Sequence, residues 1–224
     1  MNQTENGFHS NEAALTYWIK RLSASFRFRI VYHYRKKNQR KLIRKDFTII
    51  SNNCWGGVIS EKYGLRKNSP TVGLLINGDD YIKFCGNLKY YLSQKLVFFP
   101  LEQSKYAADF HDMSFPAAKL DDIEVYFMHY ADEQTAAEKW YRRCERVNWD
   151  FLIYKISERE AFSEQDMEHV AALPLEQRII IGEKKYTPDT VVIPGIHTCS
   201  GSEEDIVADI FDEAEYLNSI AKGL

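Results

Sequence analysis

An α/β fold, a three-layer Rossmann-like and mostly parallel sheet behind an N-terminal helical and basic extension, is predicted by three features of this sequence. Short apolar runs stop abruptly in polar or glycine residues, stretches of helical periodicity follow them, and the alternation recurs along most of the chain. The clearest instance is Phe47-Thr48-Ile49-Ile50-Ser51-Asn52-Asn53-Cys54-Trp55-Gly56-Gly57. Its β-compatible residues end at Ser51, the asparagines tolerate unusual backbone angles, and the paired glycines let a ligand approach the main chain. A buried strand that delivers a binding loop reads this way.

The elements follow in order. Residues 1–10 are polar and read as frayed. Residues 12–23 have helical spacing, whereas residues 24–35 fit both a strand, by strict alternation of Phe26, Phe28, Ile30, Tyr32 and Tyr34, and an exposed basic helix. Residues 1–45 form the extension and residues 46–224 the α/β domain. Within the domain, strands are predicted at residues 47–50, 72–76, 96–99, 123–129, 151–156, 178–181 and 190–193. Helices are predicted at 57–63, 79–93, 132–146, 163–172 and 203–220, with a long loop over 102–119. Asp132 ahead of an alanine-rich run, and Ser163 with Asp166 three residues on, are helix starts. In such a sheet the ligand crevice lies at the carboxyl ends of the strands, which places residues 52–57, 77–80 and 129–132 there.

With 224 residues, 45% of them hydrophobic, the chain can bury a substantial core. A net charge of −3 gives no global attraction to nucleic acid, and no nucleic-acid partner is expected. The local exception is basic: Arg35, Lys36, Lys37, Arg40, Lys41, Arg44 and Lys45 crowd one short segment. Four scattered cysteines with no CxxC pair fit a reducing, cytoplasmic setting. The apolar runs fall short of the roughly 20 residues of a transmembrane helix, so any membrane role is peripheral.

Cys54 follows a strand and precedes a helix, where unpaired amides favour a thiolate nucleophile; a small buried residue is the competing reading. Asn52 and Asn53 serve either as ligand contacts or as turn residues. Gly56 and Gly57 suggest a phosphate cradle only loosely, since no GxGxxG or P-loop pattern is present, and helix packing explains them as well. His129, at the end of a strand, is the first choice for a general base, set against a histidine that bonds the backbone. Lys139, Trp140, Arg142 and Arg143, with Arg146, combine cations and an indole on one helix, as surfaces for sugars and phosphates do; a solvated stripe opposite a Trp140 anchor is the alternative. Asp121 and Asp122 read as turn residues. No acidic or histidine pair has metal-ligand spacing, and the sequence names no cofactor.

Residues 46–57, Leu65, Asn68-Ser69-Pro70-Thr71-Val72-Gly73-Leu74, Asp80-Tyr81-Ile82-Lys83-Phe84, residues 119–124, Phe127-Met128-His129-Tyr130 and Lys139-Trp140-Tyr141-Arg142-Arg143 carry a resemblance. The chain resembles a bacterial domain family of unknown function whose members are often labelled exopolysaccharide biosynthesis proteins. The resemblance spans most of residues 46–190 and departs at Tyr141, where the family typically has asparagine. It implies a setting, capsule or surface polysaccharide assembly, and no reaction.

The expectation is a transferase-like protein that binds an activated sugar (a nucleotide sugar) or an acyl donor at the strand-end crevice. His129 acts as base, and Asn52 and Asn53 orient the acceptor. Lys139, Arg142 and Arg143 neutralise donor phosphate, with Trp55, Gly56, Gly57, Ser69, Tyr130 and Trp140 as further binding positions. A rival has Cys54 as a covalent acyl nucleophile. Another makes the chain a noncatalytic assembly partner of a polysaccharide-synthesis enzyme, docked through its basic segment, residues 35–45, and its terminal helix to a membrane enzyme or an anionic surface.

Overall fold

The computed structural model describes residues 24–159, 162–199, 203–208 and 210–222. Strands β1 (Thr48–Ser51), β5 (Leu152–Ser157), β6 (Arg178–Gly182) and β7 (Val191–Val192) form a parallel sheet in the order β1-β5-β6-β7. A smaller antiparallel sheet joins β2 (Val97–Phe99), β3 (Ala117–Leu120) and β4 (Ile123–Tyr126).

Alternation along the parallel strands sends neighbouring residues to opposite faces. On one face Ile50, Ile156 and Ile180 pack with Tyr81 and Phe84 of α3 (Gly78–Gly86), Trp140 of α5 (Glu133–Cys144), and Met167 and Val170 of α6 (Glu164–Ala172). On the other, Ile49, Ile153, Ile179 and Ile181 pack with Trp55 and Ile59 of α2 (Trp55–Lys62), Val207 of α7 (Glu203–Val207) and Leu217 of α8 (Glu213–Lys222). Both faces are covered, so the α/β class and the largely parallel main sheet hold. A short helix α4 (Leu88–Ser93) follows α3 after Asn87, which divides the helix predicted over 79–93.

Two predicted strands need correction. Val72 and residues 74–76 are buried, but the segment does not join the main sheet as a strand: Gly73 has φ +78° and Leu74 N donates to Thr71 O at 3.1 Å, a turn. Leu75 then pairs with Tyr126, and Ile76 N donates to Asn52 O at 2.9 Å, so the segment bridges the two sheets. A buried apolar connector has the same sequence signature as a buried strand. The strand predicted at 123–129 ends at Tyr126 and pairs antiparallel with β3, because Asp121, at φ 57°, and Asp122 turn the chain back and set Leu120 opposite Ile123. The predicted loop over 102–119 contains two 3₁₀ turns and the start of β3, and the closing helix is divided into α7 and α8.

The helix predicted at 12–23 lies outside the described residues. The ambiguous stretch after it is helical, as α1 (Ala24–Gln39). Helical spacing puts Arg35, Asn38 and Gln39 against the end of α2, where they bond Glu61, Lys62 O and Gly64 O at 2.7, 3.3 and 3.1 Å. Among the described residues no helix is long and apolar enough to cross a membrane.

Candidate active site

The loop after β1 is built by its asparagines. Asn52 lies at the carboxyl end of β1, where its amide continues the pairing to β5: Nδ2 donates to Ser157 O and Oδ1 accepts from Ser157 N, each at 3.1 Å. Asn53 Oδ1 accepts from Ser51 Oγ, Trp55 N and Lys155 Nζ at 3.2, 3.2 and 3.1 Å, and its Nδ2 donates to Glu203 Oε2 at 3.2 Å. Both side chains are consumed inside the protein. They position Cys54, which is the N-cap of α2, rather than reaching a ligand. Trp55 is a core anchor and Gly56 packs on Ile49, with room for no side chain.

His129 arrives from the other direction. After β4, Phe127 packs edge-on against Tyr130 and Trp140, and Tyr130 N donates to Phe127 O at 3.1 Å, which turns the chain. His129 N donates to Gly73 O at 3.3 Å. The turn lays the imidazole across the start of α2, with Nε2 3.0 Å from Cys54 Sγ. The thiol and imidazole are thus in hydrogen-bond contact from segments 75 residues apart.

Around this pair is a cavity of about 300 Å³ lined by Cys54, Gly57, Val58, Glu61, Lys67, Val72, Gly73, His129, Tyr130, Lys139 and Arg143. Two glycines shape it. A Cβ on Gly57 would sit 3.0 Å from Val72 Cγ1; one on Gly73, besides being strained by the positive φ, would sit 3.1 Å from the Tyr130 ring and 3.4 Å from His129 Cβ. Helix α5 supplies the cationic wall. Asp132 caps it by accepting from Thr135 N at 2.7 Å. Lys139 and Arg143, one turn apart, then face the cavity. Arg143 NH1 donates to Val72 O at 3.0 Å and contacts Tyr130 Oη, while Tyr130 Oη donates to Val72 O at 2.6 Å. Burial holds the Tyr130 hydroxyl above the usual tyrosine range, against the opposing pull of Arg143, so it stays a donor.

Of the residues singled out in the sequence, Cys54, Gly57, His129, Tyr130, Lys139 and Arg143 meet at this cavity. Asn52, Asn53, Trp55, Gly56, Ser69, Trp140 and Arg142 do not line it. Ser69 staples the turn to Thr71, Oγ to Oγ1 2.9 Å, and Trp140 is buried core. Arg142 is exposed, near Arg146, whose pKa is lowered by desolvation and then by the positive charges of Arg66, Arg142 and Arg143. Sequence reasoning missed Glu61 and Lys67, which carry no local signal. Among the described residues no group of three or more His, Cys, Asp or Glu could hold a metal ion.

The environments of the cysteines differ, and so should their reactivity. Burial pushes the Cys144 thiol up to about 12 and Cys85 higher still, whereas Cys54 borders the cavity. Iodoacetamide at pH 8 is therefore expected to alkylate Cys54 on the order of tenfold or more faster than Cys85 or Cys144, as read by peptide mass spectrometry. Equal labelling of the three would contradict this geometry.

A family model described as a domain of unknown function (DUF1919) matches residues 25–219. An uncharacterized protein of Haemophilus influenzae is 35% identical over 148 residues, which cover 66% of this chain and 67% of that protein.

Proposed function

The chain belongs to this family of unknown function, and from the chemistry of its own side chains we propose that it is a thiol-dependent acyltransferase of bacterial surface polysaccharide assembly. One observation carries the reading: Cys54 Sγ and His129 Nε2 are 3.0 Å apart on the wall of a cavity. A thiol within reach of a general base is a nucleophile for an acyl carbonyl. A direct transfer with His129 as sole catalyst would leave the thiol, His129's hydrogen-bond partner, without a task.

In the first step His129 Nε2 takes the thiol proton as Sγ bonds to the acyl carbon. The leaving group departs with its bonding electron pair and is protonated from the imidazolium. In the second step an acceptor hydroxyl gives its proton to His129 while its oxygen attacks the thioester carbon; the C–S bond breaks with its electron pair on sulfur, and the Cys54 thiolate takes the proton back from the imidazolium. The sugar hydroxyls of a capsule or exopolysaccharide precursor are the acceptors that the resemblance of the chain suggests.

Incubation with acyl thioesters and acyl phosphates, followed by intact-mass analysis, tests the first step. A hydroxylamine-labile acyl adduct that maps to Cys54 and is missing from Cys54→Ser is expected. An adduct retained in Cys54→Ser, or no adduct from any donor, would remove the reading.

A further inference from the structure

The charge on the cavity wall is not explained by a thiol and an imidazole. Lys67, Lys139 and Arg143 face one carboxylate, Glu61, and Glu61 is already bonded by Arg35 from outside at 2.7 Å, with Lys67 at 3.7 Å. Arg143 is only 7% exposed, yet no carboxylate of the described residues pairs with it. An arginine desolvated to this degree ordinarily has a counter-ion.

The orientation of the guanidinium indicates where that counter-ion goes. NH1 is committed to Val72 O and Tyr130 Oη. Nε and NH2 make no hydrogen bond to the described residues, and neither is sealed from solvent. The protein thus holds one corner of the guanidinium and leaves its Nε–NH2 edge without a hydrogen-bond partner among the described residues, the edge that can receive two oxygens of one oxyanion. Lys139 stands one helical turn back on the same wall, with its ammonium 5.0 Å from the centre of the Tyr130 ring. Two ammonium groups and a two-pronged guanidinium exceed what one carboxylate would neutralise; they match a phosphate.

We infer that the wall formed by Arg143, Lys139 and Lys67 seats a phosphate group of the acyl donor, and that the substrate class is a phosphate-bearing acyl donor. This rests on the acyl-transfer reading for what the phosphate is attached to, and on the unpaired arginine for the phosphate itself. A cavity of about 300 Å³ lies at the lower bound for ligand sites, so it holds the reactive end of a donor and not a whole nucleotide conjugate. The phosphate therefore lies near the acyl carbon, as in an acyl phosphate. A phosphorylated thiol carrier such as coenzyme A would present the same charge farther from its acyl group.

The test uses the Cys54→Ser chain, which keeps the wall and cannot form the thioester, titrated calorimetrically at constant ionic strength with inorganic phosphate, acetyl phosphate and coenzyme A. Inorganic phosphate is expected to bind, and Lys139→Ala added to this chain to weaken it roughly tenfold, the effect of losing one charge-assisted hydrogen bond. Arg143→Lys, which keeps the charge and loses the fork, is expected to do the same and guards against a folding defect in Arg143→Ala. Acetyl phosphate binding more tightly than phosphate supports an acyl phosphate donor, and coenzyme A binding more tightly supports the thiol carrier. No binding of phosphate at millimolar concentration, binding indifferent to both substitutions, or neither donor exceeding phosphate would overturn the inference. Phosphate binding without an adduct on Cys54 in the unmutated chain would remove the acyl-transfer reading and leave the anion seat standing.

Discussion

Replacing His129 by alanine is expected to slow acylation of Cys54 by about 10²- to 10⁴-fold, the contribution of a positioned general base. The size follows from the geometry: the imidazole lies 3.0 Å from the thiol sulfur, within reach of the proton it is to take, and the substitution removes that base. Because His129 is exposed, its removal leaves the packing nearly untouched. A surface change of about 0.5 kcal/mol moves the melting temperature of a chain this size by about 2 °C. Intact-mass time courses and a thermal melt on the same preparation separate the two effects. An acylation rate unchanged in His129→Ala would exclude the base role, whatever the fate of Cys54.

The largest expected loss of stability lies one layer below. Lys155, in the middle of β5, has no exposed side-chain surface, and its ammonium pairs with Glu203 of α7 and donates to Asn53 Oδ1. Removing one member of a buried pair leaves the other charged and desolvated, which costs about 3–5 kcal/mol. Lys155→Ala should thus lower the melting temperature by on the order of 10 °C. The double replacement Lys155→Met with Glu203→Leu should recover most of the loss, because neither charge is then stranded. Since the pair holds Asn53, the residue before Cys54, Lys155→Ala should also erode the preferential alkylation of Cys54.

The same pair predicts a pH dependence. Burial alone would raise the Glu203 carboxyl, but the Lys155 charge and the hydrogen bonds from Lys155, Ser157 and Asn53 outweigh it, and its pKa is lowered. A depressed folded-state pKa contributes stability above the ordinary glutamate value of about 4.3, and that contribution is lost as pH falls through it toward the folded value. Urea midpoints between pH 3 and 6 should fall more steeply for the wild type than for Glu203→Gln. Parallel curves would show that the carboxyl is not so coupled.

How much of this was legible in the sequence varies with the kind of signal. The β1 loop could be read because an apolar run ending at Ser51 and followed by two asparagines and two glycines has few other uses. The roles of the asparagines could not: an amide at a strand end bonds a ligand or a neighbouring strand with the same atoms, and only the position of β5 beside β1 decides for the strand. Residues 72–76 and 123–129 show the limit of periodicity, which reports burial and not sheet membership. The chain there leaves the parallel sheet because of a left-handed Gly73 and the turn at Asp121 and Asp122.

On α5 the basic residues are visible in the sequence, but which of them turns inward depends on the helix phase. Arg143 stands three residues after Trp140 and seven after Ala136, which puts it on the buried stripe and separates it from the exposed Arg142. Lys67 has no pattern around it and becomes a site residue only because the turn that follows brings Val72 and Gly73 beside α2. The pairing of Cys54 with His129 is likewise a product of tertiary structure, invisible to any local window.

In the proposed reaction Cys54 and His129 act as one unit, and the pH profile of Cys54 alkylation, measured by mass spectrometry with and without His129, tests this without knowledge of the substrate. The expected result is that His129→Ala lowers the neutral-pH rate by about tenfold or more and moves the rise of the profile to higher pH. Superimposable profiles for the two proteins would mean that the 3.0 Å contact has no chemical consequence, and the proposed reaction would fall with it.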